Sequence, residues 1–492
     1  MEEKVQINGS GGRCRGRCRL RKVEGEKVKA LTMAEGKEAK ALAVWRNVWK
    51  PSSMVVKGEE AKASIKLSTI STLLAAISTS THQGSGPRDG VNDYSPSSST
   101  SSSPIVCDRS HQNYDLCSIN GPTVLDSTMS TFYAAVGGLG LFNSTHHVVE
   151  RVRPYPQKNS SQTMARIQEI TLTSASSGPP CATQHDAPAV VFSVGGYTWN
   201  FFHAFIDGFI PLFITLNSIA SLVDDADVVL VIADSQDWWV RKYQDLFRSF
   251  SKHPVILLGN DTSTHCFPAA TVGLISHGFM TIDSSQLLTH KTTQHLHKTL
   301  QKTYCLAATT NSTARRPRLV LVKRTGGVGR VIMNQAELKT AAEEEGFEVI
   351  EFEPRQSTPL SEACELLRSS HAMVGVHGAA LTYALFLPPR SVMVQVVGVG
   401  LEEVAELCFG RMARDMGFEY MEYRVGVEES SLVDRYGEDD VIVKDPKALQ
   451  AGGWYDAIME VYLRQQNLKL NMLKFRQYLK AAYHKATRVM QN

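Results

Sequence analysis

At 492 residues with 43% hydrophobic content, the chain is long enough for two or three cores of ordinary domain size, which excludes a single small binding module. The formal net charge of +3 is nearly balanced and its excess is local: the first fifty residues hold thirteen Lys or Arg against six Glu. No chain-wide basicity points to nucleic acid, and the run Arg13 to Lys22 is expected to be a solvated tail rather than a phosphate-binding arm.

Residues 1–104 are expected to form a disordered basic tail, a short apolar segment and a Ser-rich stem. The apolar segment, Leu67 to Ile77, falls short of the roughly 18 residues that span a bilayer and is interrupted by Ser and Thr. Residues 79 to 104 carry too few apolar side chains to offset the entropy of ordering. Cys107 and Cys117 then close a short loop, either as a disulfide in an oxidising compartment or as two free thiols. The remaining cysteines lack the CxxC spacing of a zinc site, and Asn143, Asn159, Asn260 and Asn311 are N-glycosylation acceptors by sequence.

Short alternating runs between Thr123 and Ser177 suit strands. Two α/β stretches follow. In the first, strands at Val190 to Val194, Asp227 to Ala233 and Val255 to Leu258 are separated by helices at Asn200 to Leu222 and Trp238 to Phe250. In the second, RLVLV at 318 to 322, FEVIEF, AMVGV and SVMVQVV are strands. Helices are expected at NQAELKTAAEEEG, Leu360 to Ser370, Ala379 to Leu387 and Leu401 to Met416. Continuously apolar strands separated by helices indicate parallel sheets covered on both faces, hence an α/β fold of two Rossmann-like domains. The domains are expected at 105–310 and 311–450, with residues 451–492 forming helices that pack back across both.

Open α/β sheets bind ligands outside the carboxyl ends of their strands, and three segments fall there. Val322 to Arg330, VKRTGGVGR, offers arginines beside a glycine loop; it suits a diphosphate, or is a surface turn. It has neither Walker A nor dinucleotide spacing. Val374 to Thr382 ends a buried strand at His377, and Gly378 and Ala379 permit close approach; a lone His there is either a ligand group or a satisfied structural residue. In Gly195 to Phe213, His203 and Asp207 are four apart on one helix face, either as a proton acceptor with its orienting partner or as an internal helix hydrogen bond, with Asn200 as cap. The nearest matches to an Asp-x-Asp metal motif, Asp225 to Asp227 and Glu438 to Asp440, precede strands rather than follow them, so no catalytic metal and no cofactor are expected.

Together these segments, with GNDTSTHCFPAATVGLISHGF and KDPKALQAGGW, resemble the plant branch of glycosyltransferase family 61 over roughly Cys107 to Ala482. The resemblance implies a two-lobed GT-B fold and metal-independent, inverting transfer of xylose or arabinofuranose from a UDP-sugar to xylan. It implies donor binding by Arg324, Arg330, Asn334, His377, Gly378, Ala379 and Thr382. On the same footing Asp207 is the favoured general base and His203 its rival, an imidazole being the more basic of the two groups. It further implies a type II protein of the Golgi lumen, with a membrane anchor and a place in a transferase complex. Where the family reads Gly-Leu-Thr-Asn after His-Gly-Ala, this chain has Ala380, Leu381, Thr382 and Tyr383. Competing readings are a non-catalytic glycan-binding protein on the same fold, or a transferase of N-glycan or N-acetylglucosamine type. A nicotinamide oxidoreductase is disfavoured by the missing fingerprint.

Overall fold

The computed structural model describes residues 103–134, 147–174, 178–219, 227–305, 315–325, 327, 329–448 and 457–491. The basic tail, Leu67 to Ile77, nearly all of the Ser-rich stem, Asn143 and Asn311 lie outside them. Three six- or five-stranded sheets stack with helical layers. The first runs Ile105–Asp108, Leu116–Ile119, Ala270–Val272, Ala189–Ser193, Val229–Ala233 and Ile256–Leu257, its last four strands parallel. The second, mixed, gathers Val149–Val152, Ile170–Thr173, Thr131–Ala134, Thr123–Asp126, Thr264–Phe267 and Thr183–Gln184. The third is wholly parallel, in the spatial order Glu348–Phe352, Arg318–Val322, Ala372–Val376, Val392–Val397 and Glu419–Arg424.

The unbroken apolar runs are explained by where their alternate residues go. In Ala189–Ser193, Val190 and Phe192 face the helical layer while Ala189 and Val191 face the second sheet. In Arg318–Val322, Val320 and Val322 face that same helical layer, and Leu319 and Leu321 face the C-terminal helix. A strand buried on both faces has no polar position, because successive side chains alternate between faces. The C-terminal helix Met472–Gln491 presents Phe475, Leu479, Ala482 and Ala486, all fully buried, at helical spacing onto the third sheet.

The shared helical layer holds Phe201–Ser218, Asp237–Phe250, Thr293–Tyr304 and Leu360–Arg368, and one continuous apolar cluster runs through it from the first sheet to the third. The two halves thus share a core rather than owning separate ones. Phe201–Ser218 is long and apolar enough to cross a bilayer, but 78% of it is buried within the fold, so here it is a core helix. Its cap is the expected one, Asn200 Oδ1 accepting from the Phe202 amide. A π-helical turn, Ala204–Phe209, interrupts it.

The Cys107–Cys117 disulfide is formed, and it has company that spacing did not reveal. Cys181–Cys266 links the edge of the second sheet at Thr183–Gln184 to the neighbouring strand Thr264–Phe267, and Cys305–Cys364 ties the end of Thr293–Tyr304 to the Leu360–Arg368 helix. Such cross-links limit the unfolded chain, and long loops gain most from them. Of the acceptor asparagines within the described residues, Asn260 is exposed and Asn159 half-buried.

Candidate active site

The strand order of the third sheet places its second strand in sequence outside the first, and the third on the other side. This is the topology whose crevice opens between the first and third strands, at their carboxyl ends. Arg318–Val322 leads there into the loop bearing Arg324 and Arg330, and Ala372–Val376 leads into His377 and Gly378.

Around this crevice two cations meet with no counter-charge. Among the described residues neither Arg324 nor Arg330 pairs with a carboxylate, and the Nε of each is buried without a hydrogen-bond partner. Arg330 Nη1 donates to the His377 carbonyl at 3.0 Å. Its backbone is left-handed, φ 58°, an unfavourable conformation for a residue with a side chain, and the Arg330 amide is held by the Gln466 carbonyl. Burial lowers the pKa of Arg324, and burial with Arg324 as neighbour lowers that of Arg330 to about 9. Leaving two guanidiniums together and unneutralised is costly unless an anion completes them.

Gly378 sits at φ 154°, and a Cβ there would run into the Arg324 guanidinium and come within 2.9 Å of Arg330 Nη1. Only glycine lets the backbone lie against both. The eight-residue 3₁₀-helix Ala379–Phe386 follows, where an α-helix was expected. Its Thr382 hydroxyl is buried without a partner among the described residues. Ala379, Ala380 and Tyr383 line a cavity of about 270 Å³ with Trp199, Phe201 and Pro354. Tyr383, where the family has Asn, stacks on Phe201 with centroids 4.1 Å apart and so joins the halves.

His377 is buried, with Nδ1 2.9 Å from Gln395 Nε2. Burial, then Arg330 and Arg324, pushes its pKa down to about 3. An unfolded-chain imidazole takes its proton below about 6.5, so between the two values the unfolded state binds more protons and stability must fall as pH is lowered. The loss from this one group is up to about 1.4 kcal/mol per pH unit. Denaturant unfolding at pH 7 and pH 5 is expected to show a larger acid loss for the wild type than for His377→Gln, and equal losses would refute the assignment.

The structure brings His203 and Asp207 together as the helical spacing implies: His203 Nδ1 lies 2.7 Å from Asp207 Oδ2. The carboxylate is buried and accepts also from Tyr155 Oη at 2.8 Å and from Gln157 Nε2, shared between both oxygens at 2.9 Å. Burial, then the negative charge of Asp207, holds the Tyr155 phenol well above its ordinary pKa. His203 is 27% exposed, and with Nδ1–H directed at the carboxylate its Nε2 carries the free lone pair. The π-turn that contains Asp207 is a feature common at functional sites.

Aromatic contacts join this dyad to the arginine pair. Phe409, on a second π-turn, Glu406–Gly410, lies 5.4 Å from Phe202 and 5.6 Å from His377 between ring centroids. Asn334 is engaged elsewhere: its amide exchanges two 2.9 Å hydrogen bonds with the Leu470 backbone, pinning the segment before the C-terminal helix. That segment also holds the chain after Arg330, since Gln466 bonds the Val399 backbone and Asn467 Oδ1 accepts from the Val331 amide. Tyr155, Gln157, Gln395 and Gln466 escaped sequence reading because no local pattern marks them. Among the described residues no group of three or more His, Cys, Asp or Glu is gathered as a metal-binding cluster.

The Glycosyltransferase 61 family profile matches residues 201–394, from the dyad helix to the fourth strand of the third sheet. The xylan glycosyltransferase MUCI21 of Arabidopsis thaliana is 33% identical over 415 residues, 80% of this chain and 82% of that protein. From Oryza sativa subsp. japonica, the alpha-1,3-arabinosyltransferase XAT3 is 34% identical over 381 residues, 76% of this chain and 64% of its own. The beta-1,2-xylosyltransferase XYXT1 of the same plant is 32% identical over 400 residues, covering 77% and 84%. With relatives this similar across most of both chains, the chain belongs to glycosyltransferase family 61.

Proposed function

We propose that this chain is an inverting, metal-independent glycosyltransferase that moves a pentose, xylose or arabinofuranose, from a UDP-sugar to xylan. The observation that carries the reading is the pair of largely buried guanidiniums at the sheet crevice, which no carboxylate among the described residues neutralises. A diphosphate supplies the missing charge, and the two arginines supply to the departing group the positive charge that a divalent cation provides in other transferases. The cavity lined by Ala379, Ala380 and Tyr383, the residues that follow Gly378, is assigned to the nucleoside end of the donor. Xylan as acceptor rests on the names of the relatives, which specify xylan, arabinosyl and xylosyl transfer.

Inversion is one in-line displacement: an acceptor oxygen attacks the anomeric carbon, the bond to the diphosphate breaks, and the hydroxyl proton must leave. His203 Nε2 is assigned to take that proton, while Asp207 orients the ring and stabilises the imidazolium that forms. This reverses the order of preference drawn from the sequence, because three donors already converge on the buried Asp207 carboxylate whereas His203 Nε2 has no hydrogen-bond partner among the described residues. Three disulfides among the described residues suit an oxidising lumen, and the Golgi is the proposed compartment, with membrane anchorage and a transferase complex carried as part of that proposal. The test is a panel of UDP-xylose, UDP-arabinofuranose and UDP-N-acetylglucosamine against xylo-oligosaccharides, with linkage and anomer analysis. A pentosyl product of inverted configuration, formed in chelator, is expected. Transfer of N-acetylglucosamine alone, or donor-independent glycan binding without turnover, would overturn the reading.

A further inference from the structure

We infer that Tyr420 and Gln395 are positioning residues that fix His377 in its Nε2–H form, so that a neutral N–H is presented to the diphosphate between the two arginines. The inference rests on the donor reading above and adds to it a tautomer and the residues that set it.

The hydrogen bonds run in one direction. Tyr420 Oη lies 2.9 Å from Gln395 Oε1, and Gln395 Nε2 lies 2.9 Å from His377 Nδ1. A phenol has one proton to give, and a carboxamide has a donor end and an acceptor end. With the phenol donating to Oε1, the amide's N–H₂ points at Nδ1, which must then accept. A neutral imidazole that accepts at Nδ1 carries its proton on Nε2. Gln395 is fully buried and, among the described residues, its side chain has no partners other than these two, so nothing else sets which way the amide lies. The competing acceptor for the phenol, Glu422 Oε2, is farther at 3.2 Å, and the Glu422 carboxylate is already paired with Arg424 Nε.

The other end of the relay has a use for this arrangement. Among the described residues His377 Nε2 has no protein partner, while the His377 carbonyl holds Arg330 and Gly378 lies against Arg324. A lone pair at Nε2 would repel an anion there, whereas an N–H joins the guanidiniums in receiving it. Being neutral, the ring adds this donor without a third buried cation beside two others. Such a relay orients an anion ligand in the way outer-shell partners orient metal-bound histidines, by fixing which ring nitrogen faces outward.

Tyr420→Phe removes one hydroxyl from a partly exposed ring and frees the amide of Gln395 to turn over. Its affinity for UDP by calorimetry is expected to fall about tenfold, the range of one hydrogen bond, with the thermal midpoint little changed. In wild-type protein carrying ¹⁵N-histidine, the signal lost in His377→Gln is expected to show Nδ1 unprotonated and Nε2 protonated, and Tyr420→Phe should move it toward the other form. Nδ1 found protonated in the wild type, or Tyr420→Phe binding UDP as well as wild type, would overturn the inference. Wild-type protein that fails to bind UDP while still showing the Nε2–H form would instead overturn the donor reading and leave the relay standing.

Discussion

Arg324→Ala is expected to weaken UDP-sugar binding by about a hundredfold while leaving the folded protein no less stable than wild type. The two halves of this result have one cause. Two charge-assisted hydrogen bonds from a guanidinium to a diphosphate contribute about 3 kcal/mol together, which is roughly a hundredfold in affinity. The same guanidinium makes no hydrogen bond with any described residue, its Nε is buried and unpaired among them, and burial lowers its pKa. Removing a buried, uncompensated charge relieves a cost rather than breaking a contact. Arg330→Ala should lose as much affinity but also stability, because Arg330 Nη1 holds the His377 carbonyl. Calorimetry with UDP and a thermal melt of each variant decide the matter: an Arg324→Ala protein that melts well below wild type, or binds UDP unchanged, contradicts it.

His203→Ala is expected to lower kcat by about a hundred- to ten-thousandfold, the usual worth of a positioned base, with the dissociation constant for UDP changed less than about twofold. Asp207→Asn should also reduce kcat, by less. Its new N–H₂ would face the phenol of Tyr155, the amide of Gln157 or Nδ1–H of His203, donors against a donor, so a loss of about 1–3 kcal/mol in stability accompanies it. This pattern separates the two candidates for the base. If His203→Ala kept turnover within tenfold while Asp207→Asn abolished it, Asp207 would be the base and His203 its accessory.

Much of this architecture is legible in the residues. Runs such as VLVIA in the first sheet and AMVGV in the third announce parallel strands because burial on both faces leaves no room for polar alternation. The i, i+4 spacing of His203 and Asp207 survives a π-turn, since the two side chains remain on one side of the helix. Less legible was Glu419–Arg424, an edge strand of mixed polarity that pairs on one side only. The second sheet was hidden for another reason: Thr264–Phe267 pairs with Thr123–Asp126 from about 140 residues away, and short strands carry no sign of so distant a partner. The same holds for Tyr155 and Gln157, which reach Asp207 across about 50 residues, and for the disulfide partners of Cys181 and Cys305. Asn334 shows the opposite failure. The motif series placed it with the arginines, whereas its amide, with two donors and an acceptor, suits equally well the open backbone at Leu470 to which it is bonded.

The shared core bears on how such an enzyme works. One apolar cluster runs between the first and third sheets, and Tyr383 stacks on Phe201 across the join, so the packing ties the helix of His203 and Asp207 to the sheet that carries Arg324 and Arg330.

A crystal structure of the complex with UDP tests the central claim most directly. Diphosphate oxygens are predicted within hydrogen-bond distance of both Arg324 and Arg330 and of His377 Nε2, with the uridine in the cavity beside Ala379 and Tyr383. UDP bound elsewhere, with the two guanidiniums still unoccupied, would contradict the account.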